Sequence, residues 1–302
     1  MSDSALVFRW MSEIAHELST QPACWSRAPE VATGHARALP APGERVAIVG
    51  CGTSWFMAQA AAALREATGH GPTDAFAASE FPTGRTYDRV VAISRSGTTT
   101  EVVRLLETLG GTTRTVAICG VAGTPVAELA DEVVVLAFAD ERSVVQTRFA
   151  TTALAVLRSH AGADLAPVIA DGERALVIAL PAEPLAFDHF VSLGRGWTVG
   201  LANEAALKMR EASNSWAESY PAMEYRHGPV SVADANTLVW TLGDVAADVV
   251  RDVERTGATV IVGELDPMAE LVLIQRTAVA RAEARGLDPD HPRHLTRSVV
   301  LS

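Results

Sequence analysis

From residue 45 onward, short β-rich runs alternate with longer alanine-rich stretches of helical period. "RVAIVG", "RVVAIS", "RTVAICG" and "EVVVLAF" predict strands, and "DAFAASE" is a further strand candidate. Between them, "SWFMAQAAAALREATG" and "TTTEVVRLLETLG" predict helices closed by Gly69 and Gly110, and "QTRFATTALAVLRSH" predicts another. A stretch marked by Gly, Pro and Asp around 161–187 interrupts the rhythm, which then resumes. It continues as strand "DHFVSLG", a helix opening at "LANEAALKMRE", strand "TLVWTLG", helix "VAADVVRDVERTG", strand "ATVIVG" and a long helix over about 270–286. Ahead of all this, residues 1–40 are helical and partly amphipathic until "LPAPGE" breaks them. Strands alternating with helices imply parallel sheets covered on both faces. The halves also repeat: "RVAIVGCGTSWF" and "HFVSLGRGWTVG" both run strand, Gly-x-Gly, then a small or aromatic residue opening a helix. Two copies of one α/β unit is the economical reading.

Inside the helix of the second half, Glu204, Lys208 and Glu211 fall at i, i+4 and i+7 and so stack on one face. Their neighbours are mostly Leu, Ala and Met, so the ladder sits on a largely buried helix. A solvated Glu–Lys pair of this kind is worth a few tenths of a kcal/mol. A carboxylate in an apolar surround instead has its pKa raised and becomes a usable proton shuttle. The helix follows the second Gly-x-Gly turn, which places its start at the carboxyl edge of the sheet.

Ligands of open α/β sheets bind at that edge. In the first half, "GCGTS" (Gly50 to Ser54) can turn backbone amides toward an anion at a helix N-terminus. It lacks the third glycine of the dinucleotide fingerprint, where Trp55 stands, and the Gly-Lys-Ser/Thr of a Walker loop. A tight structural turn is an equal reading of that loop alone. "SRSGTTTE" (Ser94 to Glu101) is more telling: it supplies five hydroxyls in seven residues after a buried strand, more than helix capping uses. These residues suggest a phosphate held by Ser54, Ser94, Ser96 and Thr99 with backbone amides. In "EYRHGPV", His227 precedes Gly-Pro, which forces a turn.

Composition narrows the classes. With 302 residues, 48% hydrophobic and 20% charged, the chain can bury a large core and form two domains. A net charge of −11 argues against nucleic acid or an anionic membrane as partner. Cys24, Cys51 and Cys119 show no CxxC spacing, so neither a disulfide framework nor a zinc site is expected, and no metal or redox cofactor is implied. The first thirty residues lack an unbroken apolar h-region, and no apolar run approaches the ~18 residues of a membrane span. A soluble, cytoplasmic protein is expected.

Taken together, "CGTS", "ASEF", "SRSGTTTE", "ERSVVQT", "LGRG", "EAALKMRE", "AESY", "YRHGP" and the tail "DPDHPRHLTRSVVL" resemble, in order and spacing, the sugar isomerase (SIS) family. The likeness is to the isomerase domain of glucosamine–fructose-6-phosphate synthase, SIS-type glucosamine-6-phosphate deaminases and AgaS-like phosphosugar isomerases. It implies two tandem SIS subdomains, each a parallel five-stranded sheet flanked by helices in three flavodoxin-like α/β/α layers. The expected divisions are a helical segment at 1–26, a first subdomain with the phosphate loops at 27–165, and a second with the catalytic helix and tail at 180–302.

By position, the resemblance implies that Gly52, Thr53, Ser54, Ser94, Arg95, Ser96 and Thr99 surround a sugar phosphate, with Val144 and Gln146 against the sugar. Glu211 becomes the base moving a proton between C1 and C2, with Lys208 and Glu204 as polar neighbours. His227 becomes the ring-opening group, delivered by the partner subunit of a homodimer with a shared active site. Three departures matter. Met1-Ser2 leads straight into the SIS region, so an amidotransferase half is not expected. Arg297 replaces a family lysine able to form an imine, and a guanidinium can only clamp an oxyanion or phosphate. Arg95 stands where Gln is common, and Trp55, Trp197 and Trp216 are bulkier than the family pattern. The expected activity is aldose–ketose isomerisation of a phosphorylated sugar, alone or coupled to deamination of a 2-amino sugar. The alternatives are a non-catalytic phosphosugar sensor and a synthase subunit fed ammonia by a separate glutaminase.

Overall fold

The structure is a computed structural model and describes residues 12–301. Of the helical segment expected at 1–26, residues 1–11 lie outside the described residues. The rest forms two short helices, α1 (Glu13–Ser19) and α2 (Gln21–Trp25), and a third, α3 (Ala28–Gly34), follows it.

The first α/β unit follows as β1 (Val46–Gly50), α4 (Thr53–Ala67), β2 (Thr73–Ala77), β3 (Arg89–Ser94), α5 (Thr100–Leu109), β4 (Arg114–Cys119), α6 (Pro125–Leu129) and β5 (Glu132–Val135). Its strands pair in parallel in the order β2-β1-β3-β4-β5. Then come α7 (Arg148–His160) and α8 (Ala166–Val177). The second unit is β6 (His189–Gly194), α9 (Thr198–Ser213), β7 (Trp216–Pro221), β8 (Thr237–Leu242), α10 (Ala247–Glu254), β9 (Thr259–Val262) and α11 (Pro267–Ala284). Its order, β7-β6-β8-β9, is also all parallel and repeats the first four positions of the first sheet.

The second sheet therefore has four strands among the described residues, not the expected five. After β9 the chain runs into α11 and then into a tail that returns to the first unit, where Thr100 N donates to Val299 O. Three further elements escaped the periodicity, the five-residue α6 among them. Residues 161–187 contain α8, whose Pro167 lies in the first turn, where no amide partner is lost, and whose Gly172 packs on Trp25. β7 follows α9 directly, because Asn214 adopts a left-handed conformation (φ 50°) and turns the chain.

The repeated Gly-x-Gly turns have one geometry. Gly52 (φ 54°) and Gly196 (φ 57°) both take the left-handed region that glycine enters without steric cost. Alternate side chains then separate two layers. Val46 and Ile48 of β1 join the central core, while Ala47 and Val49 face an outer core under α5. The central core continues through Leu238, Trp240 and Leu242 of β8, so one apolar mass lies between the sheets. Each fully buried Ile or Leu there contributes about 1.5–3 kcal/mol. Within it α4 and α9, the equivalent helices of the two repeats, pack on each other.

Candidate active site

In the sheet order β2-β1-β3-β4-β5, the chain reverses direction between β1 and β3, the switch point where a crevice opens at the carboxyl ends. The loops leaving these strands carry "GCGTS" and "SRSGTTTE" and lead into the N-termini of α4 and α5. Neither N-terminus has a side-chain cap, so amides are left for other partners. Ser54 is buried in the first turn of α4. Ser94 Oγ lies 3.4 Å from Thr99 Oγ1. Ser96 Oγ donates to Ser298 Oγ of the tail at 3.0 Å, and Thr98 Oγ1 lies 2.9 Å from the same hydroxyl.

The α4–α9 crossing brings the ladder to this edge. Lys208, 1% exposed, donates from Nζ to Thr53 Oγ1 at 3.0 Å and to the carboxylate of Glu211, and lies 3.4 Å from Glu204 Oε1. Glu204 is 1% exposed, and neither of its oxygens has a well-formed hydrogen bond among the described residues. Burial pushes its carboxyl up to about 8, against the pull of Lys208 and with the repulsion of Glu211. Burial drives Lys208 downward, but the two carboxylates outweigh it and its ammonium is held above the usual lysine range. At neutral pH Lys208 is thus an ammonium beside a protonated Glu204, and it also contacts Glu211.

Glu211 opens onto a cleft of about 160 Å³, together with Cys51, Gly52, Thr53, Thr99, Val144 and Gln146. Its remaining wall is the tail, residues 295–299. Gln146 Oε1 is buried with no partner among the described residues. The thiol of Cys51 is pushed up to about 11, by burial first and by Glu101 second, so it is a neutral wall and no nucleophile. A roomier groove of about 300 Å³ lies elsewhere, lined by Leu18, Leu176, Leu180 and Val279 between α1, α8 and α11, away from both loops. Among the described residues no cluster of His, Cys, Asp and Glu is placed to hold a metal ion.

Ser54, Ser94 and Ser96 are buried outside the cleft wall, and Arg95 and Arg297 are engaged within the protein. Arg95, 2% exposed, donates to Ser143 O at 2.7 Å, Val144 O at 3.3 Å and Arg297 O at 2.8 Å, with Glu141 4.0 Å away. Arg297 lines the cleft, but its guanidinium forms a two-pronged pair with Asp140 at 2.7 and 2.9 Å, and its Nε donates to Glu141 O. His227 is exposed in a 3-10 turn after β7 and is not part of the cleft wall. Asp140, Ser298 and Val299 were not singled out from the sequence. Asp140 stands just before "ERSVVQT", and Ser298 and Val299 lie inside the tail motif "DPDHPRHLTRSVVL".

Residues 41–159 match the SIS domain family model, the family that the motifs resemble. Glutamine–fructose-6-phosphate aminotransferase (isomerizing) of Methanothermobacter thermautotrophicus is 29% identical over 305 residues, covering 85% of this chain and 52% of that protein. The chain spans about half the length of the curated relatives it matches. Among solved structures, glucosamine-6-phosphate deaminase from Thermotoga maritima superposes with a TM-score of 0.82 at 26% identity, over 96% of this chain and 100% of that one. Tagatose-6-phosphate ketose/aldose isomerase from Escherichia coli gives 0.81 over 96% of both chains, at 19% identity, a likeness of fold alone.

Proposed function

We propose that the protein interconverts the aldose and ketose forms of a phosphorylated sugar; where the substrate is a 2-amino sugar, one water hydrolyses the resulting C2 imine to the ketose and ammonia. The observation that carries this reading is Lys208 Nζ, which touches Thr53 of the anion loop and Glu211 of the acid–base helix at once. An anion at the α4 and α5 N-termini and a base beside it are thereby parts of one site. The phosphate is held by backbone amides and by Ser54, Ser94, Ser96 and Thr99, since helix N-termini favour anions without a local excess of Lys or Arg. Val144 and Gln146 contact the sugar. The Glu211 carboxylate takes a proton from one of C1 and C2 and returns it to the other, while a donor stabilises the intervening enediolate oxygen. Lys208 orients Glu211 through its ammonium–carboxylate contact. His227 of a second copy opens the ring.

The likeness to a glucosamine-6-phosphate deaminase and to the isomerase half of the aminotransferases supports a phosphosugar substrate. Incubation with a panel of hexose and hexosamine 6-phosphates, with ketose and ammonia followed separately, identifies it. Glu211→Gln is expected to slow exchange of the C2 proton with D₂O by about 10²–10⁴-fold while phosphosugar binding persists. Undiminished exchange in that variant ends the assignment of Glu211 as base.

A further inference from the structure

The geometry points to Arg95 as a positioning residue that clasps the C-terminal tail to the 143–144 loop and so sets the wall of the cleft facing the sugar. This rests on the reading of the cleft as a phosphosugar site. Arg95 follows β3, directly behind the hydroxyl loop, but its guanidinium turns away from that loop's hydroxyls. One nitrogen, Nη1, takes the carbonyl of Ser143, and the other, Nη2, takes those of Val144 and Arg297. These acceptors lie 48, 49 and 202 residues along the chain, so one side chain joins three remote segments.

Both clasped segments wall the cleft. Val144 and Gln146 come from one, and Thr296, Arg297 and Ser298 from the other. Because the grip is on the main chain of Arg297, it sets the register of the tail on either side. That register places Ser298 Oγ on Ser96 and Thr98, and Val299 O on the Thr100 amide. The other charged tie of the tail, Arg297 to Asp140, is 40% and 30% exposed, and ion pairs so wetted hold little. Arg95 differs because it is buried: releasing either segment strands a guanidinium whose nearest carboxylate, Glu141, is 4.0 Å away. Lysine presents a single point charge and glutamine only one amide group, so neither reproduces the fork that spans two segments.

Arg95→Gln and Arg95→Lys test this. Should burial of an unpaired Glu141 unfold them, Arg95→Gln with Glu141→Gln removes both charges and leaves the amide oxygen to accept from Thr147 and Arg148. In the folded variants, hydrogen exchange at the Thr100 and Leu301 amides, which report on the tail, is expected to quicken about tenfold or more, the size of losing a charge-assisted hydrogen bond. Amides of β1 and β3 should exchange as before. KM for the phosphosugar is expected to rise by about the same factor with kcat changed much less, as for a lost wall contact. Unchanged protection of Thr100 and Leu301 overturns the proposal; if KM rises all the same, Arg95 is a direct phosphate ligand. Failure of every variant, including the double one, to fold also overturns it, since a tail clasp is dispensable to the core. Quickened tail exchange in a protein whose wild type turns over no phosphosugar leaves the clasp standing and removes the substrate reading instead.

Discussion

Glu204 is a buried carboxyl with no well-formed hydrogen bond among the described residues. Its carboxyl, ordinarily near 4.5, is pushed up to about 8 because burial outweighs the attraction of Lys208. Between those two values the folded chain binds one proton that the unfolded chain has already released. Stability attributable to this group therefore falls as pH rises through that window, by at most about 1.4 kcal/mol per pH unit, and levels off above it. Glu204→Gln mimics the protonated form and removes the slope. Its melting temperature relative to wild type is expected to shift in the variant's favour as pH is raised from about 5 to about 8.5. A constant difference across that range means Glu204 is ionised throughout. The same protonation matters to the chemistry, since it leaves Lys208 paired mainly with Glu211, the carboxylate that faces the cleft.

The helices α4 and α9 make this geometry achievable. They are the same element of the two repeats, and they cross where Gly200 meets the α4 backbone. A Cβ there would stand 2.5 Å from Phe56 O and 2.7 Å from Ala60 N. Neither backbone atom can yield without moving the helix, so the close approach requires glycine. Gly200→Ala is expected to cost about 1–3 kcal/mol in denaturant unfolding. By prising α9 from α4 it should also lower turnover through the Lys208–Thr53 contact, two turns further along α9. Lost stability with unaltered turnover would show that the ladder finds Thr53 by side-chain adjustment alone. Asn203 reinforces the crossing, donating to Gln59 at 2.7 Å and accepting from Ser219 of β7 at 2.9 Å.

Within one chain, the proposed catalytic set is incomplete. His227 is exposed on the turn after β7, outside the cleft that holds Glu211. Its surroundings carry exposed apolar side chains, Met223 at 48% and Val232 at 62%, of the kind that a second molecule covers. A homodimer in which each His227 serves the other chain's cleft accounts for both features. Mixing inactive His227→Ala with inactive Glu211→Gln is then expected to restore activity, because one site in each mixed dimer is whole. With random pairing, half of the dimers are mixed and each holds one good site, so recovery should approach about a quarter of wild type. Mixed dimers demonstrated by tag exchange yet wholly inactive would dismiss the shared site.

Strands, helices and the repeat could be read from the chain because each depends on neighbours a few residues apart. β-rich runs marked β1, β3, β4, β6 and β8, and the paired Gly-x-Gly turns marked the two starts of the α/β unit. The ladder at 204, 208 and 211 was equally legible, since helical period alone stacks it. α8 and β7 were not, because a proline and a glycine read as breakers while Trp25 and a neighbouring strand supplied the support. The partners of the charged groups were less legible still. Nothing local tells Arg95 to seek carbonyls 48 and 202 residues away, or Arg297 to pair with Asp140 rather than meet a ligand. Backbone period follows from covalent geometry, whereas the direction of a long charged side chain follows from which distant carbonyl or carboxylate folding brings within about 3 Å of it.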